Sequence, residues 1–72
     1  MSQNFYYNYA FVDPATNMCM EFQSSSAPIT ENSFYIIVEV PVNDPEYICK
    51  FYINGNWYED PDGTIPWESA LL

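Results

Sequence analysis

Residues 50–60 read "KFYINGNWYED", two aromatic runs joined by Asn54-Gly55. An Asn-Gly pair between such runs is the strongest short-range hairpin signal a sequence carries, because a type I′ turn needs two adjacent residues that tolerate positive φ. A two-residue turn predicts Ile53 opposite Asn56, Tyr52 opposite Trp57, Phe51 opposite Tyr58 and Lys50 opposite Glu59. The last pair sets the only base of the chain against an acid. Such a cross-strand pair is worth ~0.2–1 kcal/mol and serves to fix register. Tyr52 and Trp57 share its side, an arrangement expected to leave an amphipathic patch at the surface.

Upstream, "FYIIVEV" (residues 34–40) holds six β-branched or aromatic residues in seven and reads as a strand. Phe34, Ile36, Val38 and Val40 line one side of it, with Tyr35, Ile37 and Glu39 on the other. Pro41 and Pro45, with Asn43 and Asp44 between them, close it. Nearer the start, Phe5, Tyr7, Tyr9 and Phe11 alternate with Tyr6, Asn8 and Ala10. Met18, Met20 and Phe22 then alternate with Cys19, Glu21 and Gln23, and "DPATN" (13–17) marks the turn between the two runs. A four-residue loop from Asp13 to Thr16 predicts Phe11 opposite Met18, Tyr9 opposite Met20 and Tyr7 opposite Phe22. That register gathers the large apolar side chains on one face, and a slip of one residue would scatter them.

"SSSAP" (24–28) is a polar connection, and "PDGTIPWESALL" (61–72) breaks the strand pattern. In the latter, Asp62-Gly63 is a turn, Pro66 blocks strand continuation, and "WESALL" is one helical turn at most, with Trp67, Leu71 and Leu72 apolar. Two fates stay open for this segment: folding back over a sheet face, or docking onto another chain. On the docking reading, removing residues 65–72 abolishes assembly and leaves the strands intact. The expected architecture is a single all-β domain of about five short antiparallel strands, made of two hairpins and a central strand, with residues 61–72 irregular.

At 72 residues there is room for one domain, whose core supplies only ~3–5 kcal/mol without added support. Contacts with partners are therefore a natural part of its stability. Hydrophobic residues at 49% and aromatic residues at 19% exclude a disordered chain. The formal charge of −9 comes from ten acids against one base, while charged residues are only 15% of the chain. That fraction lies below the ~25% of ordinary domains, so the acidity reflects missing bases. A chain so poor in Lys and Arg cannot neutralise phosphates, which argues against nucleic acid and anionic membranes as partners. No apolar run approaches the ~20 residues of a membrane span. The start, "MSQNFYYNYAFV", lacks the basic and apolar regions of a signal peptide, so the chain reads as soluble and made in the cytoplasm.

Catalytic chemistry has little to draw on. A thiol nucleophile needs a base or cationic neighbour to lower its pKa, and there is no His in the chain to serve either Cys19 or Cys49. Both are expected to be buried, reduced and apolar in behaviour, with one intramolecular Cys19–Cys49 bridge as the alternative, and no further His or Cys completes a zinc site. "DPDGT" (60–64) opens like a calcium loop, with Asp60, Asp62 and Thr64 at alternate positions. Gly63 comes too early, however, and Leu71 stands where a bidentate Glu is required. The stretch reads as an Asp-Gly turn, and no residue is assigned to catalysis, metal or cofactor. The remaining acids are scattered along the chain in a manner that suits solvation more than mimicry of DNA.

The aromatics are the better lead, since Tyr and Trp bring rigid area with a polar tip to contact surfaces. Phe5, Tyr9, Phe11 and Phe51 are expected in the core. Tyr6, Tyr35, Tyr52, Tyr58, Trp57 and Trp67 are available for stacking, and for the two tryptophans core and contact roles both stand open. The candidate contact residues are Tyr52, Trp57, Trp67, Leu71 and Leu72.

The succession "NYAFVDPATNMCMEF" (8–22), "PIT" (28–30), "YIIVEV" (35–40) and "YICKFYINGNWYED" (47–60) resembles a loose group of short phage proteins encoded among tail and tail-fibre genes. Those chains open with a Tyr-rich strand, a Val-Asp turn and a Cys strand, matched here by Tyr9, Val12, Asp13 and Cys19. They close with a Lys-x-Tyr-x-Asn-Gly-x-Trp hairpin, matched by Lys50, Tyr52, Asn54, Gly55 and Trp57. "IPWESALL" (65–72) lies outside the resemblance. The resemblance implies a non-enzymatic virion subunit on the tail, baseplate, fibre or capsid surface, with other virion proteins as partners and multi-copy assembly or self-association. The alternative suggested by size and acidity is an inhibitor of a host defence protein. A carbohydrate-binding module ranks below both, and an enzyme last.

Overall fold

Asn54 and Gly55 both take positive φ, 52° and 84°, in the computed structural model, which describes residues 7–30 and 32–72. The turn is therefore type I′ in character, and its strands pair as the sequence predicts: Phe51 opposite Tyr58, Tyr52 opposite Trp57, Ile53 opposite Asn56. The protein is all-β, with β1 (Tyr7–Val12), β2 (Cys19–Ser25), β3 (Ile36–Val40), β4 (Phe51–Ile53) and β5 (Asn56–Tyr58). All pairings are antiparallel. The strands divide into a three-stranded sheet of order β2-β1-β3 and the two-stranded β4-β5. Thus β3 stands between the two hairpins in sequence and at a sheet edge in space, and β1 is the middle strand. Phe5, Tyr6 and Glu31 lie outside the described residues.

The first hairpin departs from its expected register. Phe11 is opposite Glu21, Tyr9 opposite Gln23 and Tyr7 opposite Ser25, three residues further along β2 than predicted. Two features cause the shift. The loop runs through Met18, because the Asp13 N–H donates to the Met18 carbonyl at 2.9 Å and Asn17 adopts the left-handed conformation, φ 65°. Val12 then pairs with Cys19 while Phe11 pairs with Glu21, so Met20 is an extra residue bulged out of β2. An odd-numbered shift exchanges faces. The main core consequently forms on the small-residue side of β1, from Ala10, Val12, Cys19 and Val40, with Phe22 and Val38 beside them.

The large-residue side of β1 is nevertheless covered. Tyr9 and Phe11 are buried. Tyr7 stacks on Tyr9 and Phe11 on Tyr35, each pair with ring centroids 6.3 Å apart. The Ile29 N–H donates to the Tyr9 hydroxyl oxygen at 3.1 Å, which ties the β2–β3 connection across this face. Phe51, expected in the core, is half-buried.

Across the main core lies a 3₁₀ turn, Pro45–Tyr47, that the sequence reading treated only as the end of β3. Asp44 caps it by accepting the Glu46 N–H at 2.9 Å, and Pro45 supplies the fixed φ suited to a first helical position. The turn delivers Tyr47 into the core at 3% exposure. Burying such a ring is worth roughly 1.5–3 kcal/mol.

The two sheets meet at the cysteines. Cys49 N–H donates to the Cys19 carbonyl and Cys19 N–H to the Lys50 carbonyl, both at 2.8 Å, with Cys49 at φ 76°. This is an antiparallel bulge of the kind that ordinarily places glycine at the left-handed position. It explains why Lys50 does not continue the β4-β5 ladder: its carbonyl faces β2, while the Glu59 N–H donates to Ile65 at 2.8 Å. The expected Lys50–Glu59 pair is thus replaced. The expectation of two buried thiols also needs correction, since neither cysteine is bridged and Cys19 is buried, but Cys49 is exposed because the left-handed bulge turns it outward.

Candidate functional site

Tyr47 is the centre about which the candidate contact residues are arranged. Its ring stacks on Phe22 at 5.8 Å and meets Trp57 and Trp67 edge to face, each at 4.9 Å. Tyr52 lies against Trp57 at 4.9 Å, as the hairpin register requires. The side of the hairpin carrying Tyr52 and Trp57 therefore packs on the core and is not a free patch.

Trp67 reaches the same centre because the C-terminal segment folds back. Asp60 turns the chain: its carboxylate accepts the Thr64 N–H, the Thr64 hydroxyl and the Ile65 N–H. Those bonds hold its carboxyl below the usual aspartate range, the Thr64 hydroxyl contributing most. Gly63, at φ 70°, closes the turn where a Cβ would lie 3.3 Å from the Ile53 side chain. The chain then runs antiparallel to β5, with Pro66 opposite Tyr58 and the Trp67 N–H donating to the Trp57 carbonyl at 3.0 Å. Buried Ser69 donates its hydroxyl to buried Asp44. Of the two fates open to this segment, the structure has the first, and Trp67 and Ser69 belong to the fold. Removing residues 65–72 would take away Trp67, which packs against the core, and buried Ser69, so the strands are expected to lose support.

Over the paired β5 and returning chain lies an open cleft of about 610 Å³, lined by Asn56, Trp57, Tyr58, Pro66, Trp67 and Glu68. Both indoles are half-buried: each is held against Tyr47 and also lines the cleft. The core and contact readings of Trp57 and Trp67 thus hold together. The Lys50 ammonium sits 5.0 Å from the centre of the Trp67 ring, a cation–π distance. Glu68 is the one charged group on the cleft wall.

The other candidate residues are not brought to the cleft. Tyr52 lies behind Trp57, and Leu71 and Leu72 are 61% and 62% exposed beyond Ser69. Sequence reasoning offered Tyr58 for stacking but missed Asn56, Pro66 and Glu68 as cleft residues, since treating the tail as irregular hid its pairing with β5. It also missed Tyr47, although Asp44-Pro45-Glu46 is a legible helix start.

Chemically, the cleft offers two aromatic surfaces, a phenol, an amide and a carboxylate on a rigid support. Cys19 offers no reactivity: burial pushes its thiol up to about 11, and its S–H donates to the Glu21 carbonyl at 3.2 Å. Among the described residues no group of three or more His, Cys, Asp or Glu is placed to hold a metal ion, and no helix is long and apolar enough to cross a membrane. Comparison of the chain with protein families, curated proteins and solved structures returned no match.

Proposed function

We propose that the chain is a non-catalytic docking subunit of a phage virion, held to another virion protein through the Trp57–Trp67 cleft. The observation that carries the docking role is that each indole is fixed against Tyr47 and still open to the cleft. A preorganised aromatic surface loses little side-chain freedom on binding, and Trp and Tyr in such positions commonly contribute ~2 kcal/mol or more to an interface. The virion setting is supported by the resemblance to small tail-region proteins, whose matched residues Lys50, Tyr52, Asn54, Gly55 and Trp57 form the hairpin that builds one wall of the cleft. Among the described residues, β3 and the part of β2 beyond Cys19 lie at sheet edges, which suits multi-copy assembly.

The test is quantitative mass spectrometry of purified particles of the encoding phage. A reproducible copy number compatible with particle symmetry is expected. Absence from particles despite expression during infection would overturn the virion role. It would also favour the inhibitor reading, which the formal charge of −9 supports.

A further inference from the structure

We infer that the occupant of the Trp57–Trp67 cleft is an extended peptide segment presenting an Arg or Lys, its cationic head paired with Glu68 and its stem lying along the indoles. The inference rests on the docking reading and adds the chemistry of the partner.

Charge complementarity is the first argument. Glu68 is the charged group of the cleft wall, and Glu59, Asp60 and Asp62 occupy the turn that joins its two sides. The single base, Lys50, has its ammonium at Trp67. A neutral occupant would gain no charge pairing with Glu68, and an acidic one would be repelled by a chain of formal charge −9.

The second argument is the behaviour of Trp67 itself. The Lys50 ammonium, which does not line the cleft, lies 5.0 Å from its ring, and Glu68 stands beside the indole on the cleft wall. An Arg guanidinium can stack on an aromatic face and bond a carboxylate at once, and the apolar stems of Arg and Lys suit the remaining indole and Pro66 surface. A neutral sugar would stack equally well and could donate a hydroxyl to Glu68, but it would gain no charge pairing there.

The experiment uses the full chain against an immobilised library of synthetic peptides with Arg, Lys, Gln or Glu fixed at the centre and the flanking positions randomised. A linear neutral oligosaccharide is the parallel probe. Peptides with central Arg or Lys are expected to bind about three- to thirty-fold more tightly than those with Gln, with affinity falling at high salt. Replacing the exposed Glu68 (Glu68→Gln) leaves the core untouched and should reduce that preference about three-fold. Equal binding of Gln and Arg peptides, or a preference unmoved by Glu68→Gln, overturns the basic partner and leaves the docking role standing. Binding of the oligosaccharide without any peptide overturns both. Failure of every probe overturns the peptide inference alone, because the particle count tests the docking role independently.

Discussion

The buried carboxylate of Asp44 accepts the hydroxyl hydrogen of buried Ser69, 25 residues further along the chain. Asp44 also caps the 3₁₀ turn that presents Tyr47, so one side chain fixes both the centre of the aromatic cluster and the segment that carries Trp67 over it. The geometry of the cleft depends on this clamp.

Ser69→Ala removes the hydroxyl and leaves a buried carboxylate one partner short, a situation that costs more than the bond itself contributes. The expected outcome is a melting temperature lower by several degrees and a red-shifted tryptophan emission, with Ser69→Thr close to wild type. Unchanged melting of the Ala variant would show that the clamp is dispensable.

Acid should loosen the same region. The Asp44 carboxyl is held below 3.8 chiefly by the Ser69 hydroxyl, and that of Asp60 below 3.8 chiefly by the Thr64 hydroxyl. Because both folded values lie below the unfolded one, each group contributes stability that is present above about pH 4 to 5 and is lost as pH falls through the folded value. Protonation also relieves self-repulsion among the acids, which acts in the opposite sense. Comparison with Asp60→Asn isolates the effect: the wild type should lose stability more steeply as pH falls from about 5 to about 3. Parallel curves would contradict the assignment.

Removing residues 65–72 deletes Trp67 from its contact with Tyr47 and the backbone pairing with β5. Losing a packed Trp costs ~3–5 kcal/mol, comparable with the whole stability of a domain this small. The truncated chain should be largely unfolded by circular dichroism, whereas removal of the exposed Leu71 and Leu72 should change stability by less than about 0.5 kcal/mol. A folded, cooperative product of the longer truncation would refute the role assigned to Trp67.

The two thiols should differ in reactivity. With Cys19 buried and its thiol pushed up to about 11, an aromatic disulfide reagent at about pH 8 should modify only exposed Cys49 in the native protein. Both should react after denaturation. Rapid modification of two thiols in the native state would contradict the burial of Cys19.

The second hairpin was legible because Asn54-Gly55 dictates its turn and the turn dictates its register. The first was not, because β1 is covered on both faces. Alternation of Tyr7, Tyr9 and Phe11 with Asn8, Ala10 and Val12 marks a strand, but it cannot say which face takes the main core when Ala10 and Val12 are as buried as Tyr9 and Phe11. The bulge at Met20 then separates the β2 alternation from that of β1. The cleft was half legible. Trp57 and Trp67 stand out by residue type, but their juxtaposition depends on a return that the side chain of Asp60 organises, which no periodicity encodes.

The most direct test of docking through the cleft is to block its rim without touching the core, using the double variant Asn56→Arg, Glu68→Lys at two exposed positions. After circular dichroism establishes a native fold, the copies of the variant in purified particles are counted against wild type. The expected result is a loss of about ten-fold or more, as for an interface deprived of an aromatic anchor. A variant incorporated at the wild-type copy number would contradict the role of the Trp57–Trp67 cleft.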